Sequence, residues 1–338
     1  MDFYQLLNST EYDFLRTEPR LKNLILLGLG GSYAYGTNNE NSDIDFRGIT
    51  LNLPSDLIGL TEFEQYEDKN TDTVIYSFNK IIKLLLNCNP NTIEILGLDE
   101  DQYFIKTPIG QEILDNRNLF LSKLAARSFG GYADAQLRRL QNAVARDHMP
   151  QPEREKHIYR SVQHAMEDFK QKNKRIAAGK AKIYIAPSDR PELMTEIFLD
   201  VEYKHLPLRD YENMLGTMNS VIRDYDRIGK RNKKKDDNHL NKHAMHLIRL
   251  FMMAVDILEK GEIKTHRTAE HDLLQAIRRG DFQQEDKNFS PEFYKILSDY
   301  EKRLERAVQN TKLPDQPDME AVARFVERVN KRVVMGEV

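Results

Sequence analysis

The chain has 338 residues, 40% of them hydrophobic and 30% charged, with only 16 glycines and 12 prolines. That is a globular composition long enough for two domains, and it excludes collagen, low-complexity disorder and a disulfide scaffold. The net charge of -3 decides nothing, but its distribution is uneven: the first hundred residues are acid-rich, whereas Arg138 to Lys182 and Arg227 to Lys235 gather basic residues, a cue for a polyanionic ligand in the second half.

The longest apolar runs, such as Leu24 to Leu29 and Ile81 to Leu86, are far shorter than a membrane span of roughly 20 residues. The opening residues Met1 to Gln5 lack a basic stretch followed by an apolar one, so a cytoplasmic chain without a membrane partner is expected. Cys88 is the single cysteine and lies in an apolar stretch. It reads as a small buried hydrophobe.

An amphipathic segment, Phe3 to Leu15, precedes the apolar run Leu21 to Leu27, which reads as a buried strand entering a glycine-rich turn. Asp43 to Leu51 reads as a second strand and Asp72 to Tyr76 as a third, with the polar stretch holding Glu64, Glu67 and Asp68 as a solvated loop. Helical periodicity runs from Phe78 to Leu86, breaks at Asn89-Pro90-Asn91 and resumes at Thr92 to Leu98. Beyond Thr107 the pattern is helical, with Leu119 to Arg146, Glu153 to Gly179, Asp210 to Ile228, Asn238 to Lys260 and Asp318 to Val334 as the main candidates. Ala181 to Ala186 is one short strand, and Lys230 to Asp237 a charged linker. The expected fold is α+β: a small mixed-sheet domain over residues 1–118, then a mostly α-helical domain over residues 119–338.

The informative segment runs from Gly30-Gly31-Ser32 to Ser42-Asp43-Ile44-Asp45. Asp43 and Asp45 are two apart, so on a strand they point the same way, and two adjacent carboxylates repel unless a cation lies between them. Hard oxygen donors suit Mg²⁺, which binds through one or two carboxylates while substrate phosphates complete its shell. Gly31 lets a phosphate approach the backbone, and Ser32 can donate to a phosphate oxygen.

In that order, a strand, a Gly-Gly-Ser turn and Ser-Asp-Ile-Asp resemble the DNA polymerase β-like nucleotidyltransferase superfamily. The longer pattern adds Gly36-Thr37, Phe46-Arg47-Gly48-Ile49, Asp72 before a helix with Asn-Pro-Asn, and Lys242 to Leu250 far downstream. It is similar to the predicted nucleotidyltransferases of bacteria and phages, which include RNA-ligase-associated and RNA-repair-associated members, over roughly residues 22–280.

The resemblance implies a nucleotidyltransferase palm with a helical C-terminal domain closing over the nucleotide. It implies a third carboxylate, best matched by Asp72, with Glu64, Glu67 and Asp68 as competitors. Two Mg²⁺ or Mn²⁺ ions held by Asp43, Asp45 and Asp72 would then support in-line transfer of a nucleoside monophosphate from a triphosphate such as ATP to an acceptor hydroxyl. Gly31 and Ser32 would hold its phosphates.

Lys242, His246 and Arg249 fall on one helical face with His243 alongside, and either fit a triphosphate or acceptor phosphate or form the solvated face of an amphipathic helix. Arg138, Arg139 and Arg146, then Lys156, His157, Arg160, Lys170, Lys172, Lys174 and Arg175, with Tyr132 and Tyr159, form either a nucleic-acid track or solvated helix faces. Tyr33 and Tyr35 pack or stack on a base, and Arg47 is either a structural ion pair or a phosphate ligand. A nucleic-acid 3′ end, RNA or DNA, is the expected acceptor. A protein, a small molecule or another nucleotide would suit the same core, and a non-catalytic nucleotide-binding module is the alternative of another class. The sequence leaves the oligomeric state open.

Overall fold

The computed structural model describes residues 2–40, 42–148, 181–190, 194–202, 237–285 and 288–338, together with short stretches between residues 155 and 219. Within these, the chain forms two compact units: Met1–Arg139 with Asn241–Gln284 and Phe289–Val338, and Leu140–Leu240 with Glu285–Asn288. No helix among the described residues is long and apolar enough to cross a membrane.

The first unit is built on a five-stranded mixed sheet, β1 (Leu24–Gly30), β2 (Asp45–Thr50), β3 (Gln65–Asp68), β4 (Thr73–Ser77) and β5 (Tyr103–Lys106), in the order β3-β4-β2-β1-β5. β1 lies inside the sheet and is covered on both faces: Ile25, Leu26, Leu27 and Leu29 are all buried, so it reads as a continuous apolar run. β2 runs antiparallel to β1, and β4 runs parallel to β2. This topology brings the end of β1 and the starts of β2 and β4 to one edge. In the register, Gly30 faces Asp45, and Phe46 faces Thr73, so the residues just before β4 stand beside the first residue of β2.

A short helix, α1 (Gly31–Ala34), follows β1 directly. Ser77 ends β4 and caps α2 (Phe78–Leu86) by accepting from the Lys80 amide. Phe78, Ile81, Ile82 and Leu85, at i, i+3, i+4 and i+7, form the face that α2 buries against the sheet. Four further helices complete the elements used below: α3 (Leu124–His148), α4 (Asp237–Lys260), α5 (His271–Arg279) and α6 (Met319–Met335). From Ala244 to Leu258 almost every residue of α4 is buried except His246, which makes it the central helix of the unit. Phe325 of α6 packs on Phe78 and Phe120, with ring centroids 6.0 and 6.3 Å apart. In the second unit, β6 (Ala181–Pro187) and β7 (Thr195–Val201) form a hairpin with Tyr184 stacked on Phe198.

Several expectations are corrected. Gln65–Asp68 is an edge strand rather than a solvated loop: its polar side chains suit an edge, and Tyr66 stacks on Phe14. β5 and β7 lie in regions read as helical or unassigned, where four and seven residues are too short for a decisive period. The opening amphipathic segment breaks into Phe3–Leu7, a 3-10 turn and Phe14–Thr17. Thr92 to Leu98 is likewise divided between a helical turn begun by Pro90 and a 3-10 turn. The segments Glu153 to Gly179 and Asp210 to Ile228 fall mostly outside the described residues, as do His157, Lys172, Lys174, Arg175 and the whole run Lys230 to Lys235. The side chains of Arg138 and Arg146 lie outside them too. Cys88 is fully buried, as expected, and burial pushes its thiol up.

Candidate active site

At the edge where β1 ends and β2 and β4 begin, a cavity of about 410 Å³ is lined by Gly31, Ser32, Asp43, Asp45 and Asp72 on the sheet side. From the helical side come Lys242, His246 and Arg249 of α4 and Arg278 of α5. All eight residues named from the sequence therefore meet around one space. Glu64, Glu67 and Asp68 do not line it, and Glu64 is paired with Lys80 at 2.7 Å.

Each carboxylate arrives differently. β2 begins at Asp45, so Asp43 lies in the exposed loop before it, and the shared strand face expected for the pair is not how they converge. The parallel register of β2 and β4 brings Asp72 beside Asp45. Asp72 has a φ of +47°, a left-handed conformation that aspartate tolerates better than most residues. Arg47 binds this corner together: its Nη1 donates to the Asp72 carbonyl at 2.5 Å, and its Nη2 approaches Asp45 Oδ1 at 3.4 Å. It is thus a structural ion pair that also lines the cavity.

Gly31 is required here. Its φ is +54°, and a Cβ on it would stand 1.8 Å from Asp45 Oδ2, so any side chain would displace the carboxylate. Burial raises the pKa of Asp45, with Asp72 and Asp43 adding to the rise while Arg47 and Lys242 oppose it. The carboxylates therefore repel across the cavity, and a hard cation among them would relieve that repulsion. Their donor set fits Mg²⁺ or Mn²⁺, although no three Asp, Glu, His or Cys side chains among the described residues are gathered into a closed ligand cluster.

The opposite wall carries positive charge that is only partly hydrogen-bonded. Arg249 and Arg278 are 8% and 7% exposed. Nε of Arg249 and both Nε and Nη1 of Arg278 make no hydrogen bond. Leaving buried guanidinium donors unpaired is unfavourable, and an anion in the cavity would satisfy them. Arg249 stacks on the ring of Tyr35, whose hydroxyl donates to Glu94 Oε2 at 2.8 Å. Arg278 donates through Nη2 to Ser42 Oγ at 3.1 Å, and Gln275 donates to the Gly36 carbonyl, so α5 holds the loop between α1 and β2.

His246 differs in charge from its cationic neighbours on this wall. Burial, then Arg249, His243 and Lys242, drive its pKa from 6.5 down to about 2, which favours the neutral imidazole there. His243 is engaged with Gln136 at 3.0 Å. Tyr33 packs edge-on against Phe3, and Tyr35 is buried. Arg278 and Glu94 were not singled out as site residues. Arg278 and Glu94 lie far from the glycine turn in sequence, and only the unusual arginine on the apolar face of α5, beside Leu274 and Ile277, could have pointed to one of them.

Residues 9–174 match the model of a family described as RlaP, RNA repair pathway DNA polymerase beta family. This segment is similar to the polymerase β family. The matched stretch includes Gly31, Ser32 and all three candidate carboxylates, and the sheet is consistent with that of a polymerase β-like nucleotidyltransferase. No curated protein and no solved structure matches the chain.

Proposed function

We propose that the protein is a metal-dependent nucleotidyltransferase that moves a nucleoside monophosphate from a nucleoside triphosphate to an acceptor hydroxyl, releasing pyrophosphate. The acceptor is a nucleic-acid 3′ end. The observation that carries this reading is the polarity of one cavity: three carboxylates on the sheet wall and two buried, incompletely paired arginines on the helical wall. A triphosphate with divalent ions is the ligand that satisfies both walls at once.

In this mechanism the Gly31 backbone and the Ser32 hydroxyl hold the terminal phosphates, since Gly31 leaves the backbone open to close approach. Arg249, Arg278 and Lys242 neutralise phosphate charge as it shifts to the leaving pyrophosphate, which is the main electrostatic demand of phosphoryl chemistry. Asp43, Asp45 and Asp72 would hold Mg²⁺ or Mn²⁺, which supplies charge neutralisation and a more acidic acceptor hydroxyl. Arg47 fixes Asp45 against the Asp72 backbone so that the carboxylates keep their spacing. His246, being neutral, orients rather than charges this wall: its Nδ1 stands 3.4 Å from Arg249 Nη2. The helical half beyond residue 118 contributes the cationic wall of this site through α4 and α5. The matched family is described by an RNA repair pathway, and that description leans the acceptor toward RNA.

The test is transfer of label from each α-labelled nucleoside triphosphate, with Mg²⁺ or Mn²⁺, to no acceptor, to tRNA and to short DNA. Labelled nucleic acid with the wild type but not with Asp43→Ala plus Asp45→Ala is expected. Absence of both transfer and metal-dependent triphosphate binding would sink the reading.

A further inference from the structure

A second, larger cavity of about 870 Å³ adjoins the first, sharing Asn91 and His246 with it. Its main wall is one stripe of α3, including Arg127, Gly131, Tyr132 and Arg139. Arg127, Gly131, Ala135 and Arg139 recur at i, i+4, i+8 and i+12, with Tyr132 next to Gly131, so the stripe runs about 18 Å along the helix.

The chemistry of the stripe is one-sided. Among the described residues, no aspartate or glutamate lines the cavity. Neither Arg127 nor Arg139 forms an ion pair among the described residues, and both guanidinium groups border the cavity. Between them stands Tyr132, its hydroxyl within 3.5 Å of Asn89 Nδ2. Cations flanking an aromatic ring at the mouth of a catalytic cavity are the pattern that tracks a single strand, its phosphates on the arginines and a base on the ring.

The glycines of α3 supply an independent observation. Gly130 and Gly131 sit inside a 25-residue helix, where glycine is among the poorest residues, and a Cβ on either would meet nothing within 4 Å. Packing therefore does not require them. At Gly131 the missing side chain instead leaves the cavity wall bare, so that a ligand can lie against the helix.

We infer that this cavity is the acceptor subsite: it takes the 3′-terminal nucleotides of a single-stranded nucleic acid, with phosphates on Arg127 and Arg139 and a base on Tyr132. The shared wall then delivers the terminal hydroxyl toward the carboxylate cavity. This inference rests on the nucleotidyl-transfer reading for the identity of the reaction, but not for the binding itself.

The test measures fluorescence anisotropy of end-labelled single-stranded RNA and DNA of about 10 nucleotides against the full chain without triphosphate. Triphosphate affinity is followed separately by calorimetry. Tyr132→Leu is expected to weaken oligonucleotide binding about tenfold, with Tyr132→Phe restoring it. Arg127→Gln with Arg139→Gln should also flatten the dependence of log affinity on log salt by roughly 1.4. Gly131→Leu should block binding while leaving the helix at least as stable by circular dichroism, which separates an occupied cavity from a folding defect. Preference for RNA over DNA in the wild type would name the acceptor sugar.

Oligonucleotide affinity unchanged in all these variants, or no binding of either oligonucleotide by a wild type that binds triphosphate, would overturn the subsite. Label found on protein without oligonucleotide binding would overturn it as well. Oligonucleotide binding that is lost in the variants, in a chain that neither binds nor consumes triphosphate, would support the subsite and reject the nucleotidyl-transfer reading.

Discussion

The guanidinium carbon of Arg249 stands 3.4 Å above the ring centroid of Tyr35, and the hydroxyl of that ring donates to the buried Glu94. One tyrosine thus fixes an arginine by its face and a carboxylate by its edge. Removing the hydroxyl in Tyr35→Phe leaves the stack but strips a hydrogen bond from Glu94, a group whose pKa burial already raises. The expected result is a stability loss of about 1–3 kcal/mol in urea unfolding, with triphosphate affinity changed little. Tyr35→Leu removes the face as well, and triphosphate affinity measured by calorimetry should then fall about tenfold.

Arg278 sets function against stability. It is almost fully buried, and two of its three guanidinium nitrogens are unpaired. A buried cation with so few partners is unfavourable for folding, and an apolar residue of similar length is often neutral or better. Arg278→Met is therefore expected to leave the melting temperature unchanged or raised while lowering triphosphate affinity at least tenfold. Equal triphosphate affinity in wild type and variant would remove Arg278 from the phosphate site.

Much of this was legible in the sequence because its signals are local. A continuous apolar strand, a glycine that nothing else could replace and acids at short spacing lie within residues 24–45, and the structure brings them to one edge. The i, i+4, i+7 spacing of Lys242, His246 and Arg249 likewise carried them to one cavity. The charge state of His246 was not legible, because it depends on burial and on cations around it in space. Arg278 reaches the site from 236 residues beyond Ser42, and nothing in a one-dimensional pattern records that meeting. β3 was hidden by its polarity, since an edge strand needs no apolar face of its own.

Asp72 combines a chemical and a conformational demand. Its left-handed φ of +47° is tolerated by asparagine nearly as well, but less by alanine. Asp72→Asn should fold with wild-type stability yet lose metal-dependent transfer. Asp72→Ala should lose transfer and also about 1 kcal/mol of stability in denaturant unfolding. Retained transfer in Asp72→Asn would leave the two remaining carboxylates as the whole metal site.

The depressed pKa of His246 makes a specific pH prediction. In the unfolded chain this imidazole takes up a proton near pH 6.5, whereas in the fold burial and the neighbouring Arg249 hold it neutral down to about pH 2. Between those values the unfolded state binds one more proton, so the contribution of His246 to stability is intact above pH 6.5 and is lost progressively as pH falls. Replacing it with a residue that does not titrate removes that slope. Across pH 6 to 4, unfolding free energy should therefore fall less steeply for His246→Gln than for wild type, by about 1 kcal/mol per pH unit. Parallel slopes for the two proteins in urea titrations over that range would mean that His246 gains a proton in the fold as readily as outside it, and that the wall beside Arg249 is wetter than its burial implies.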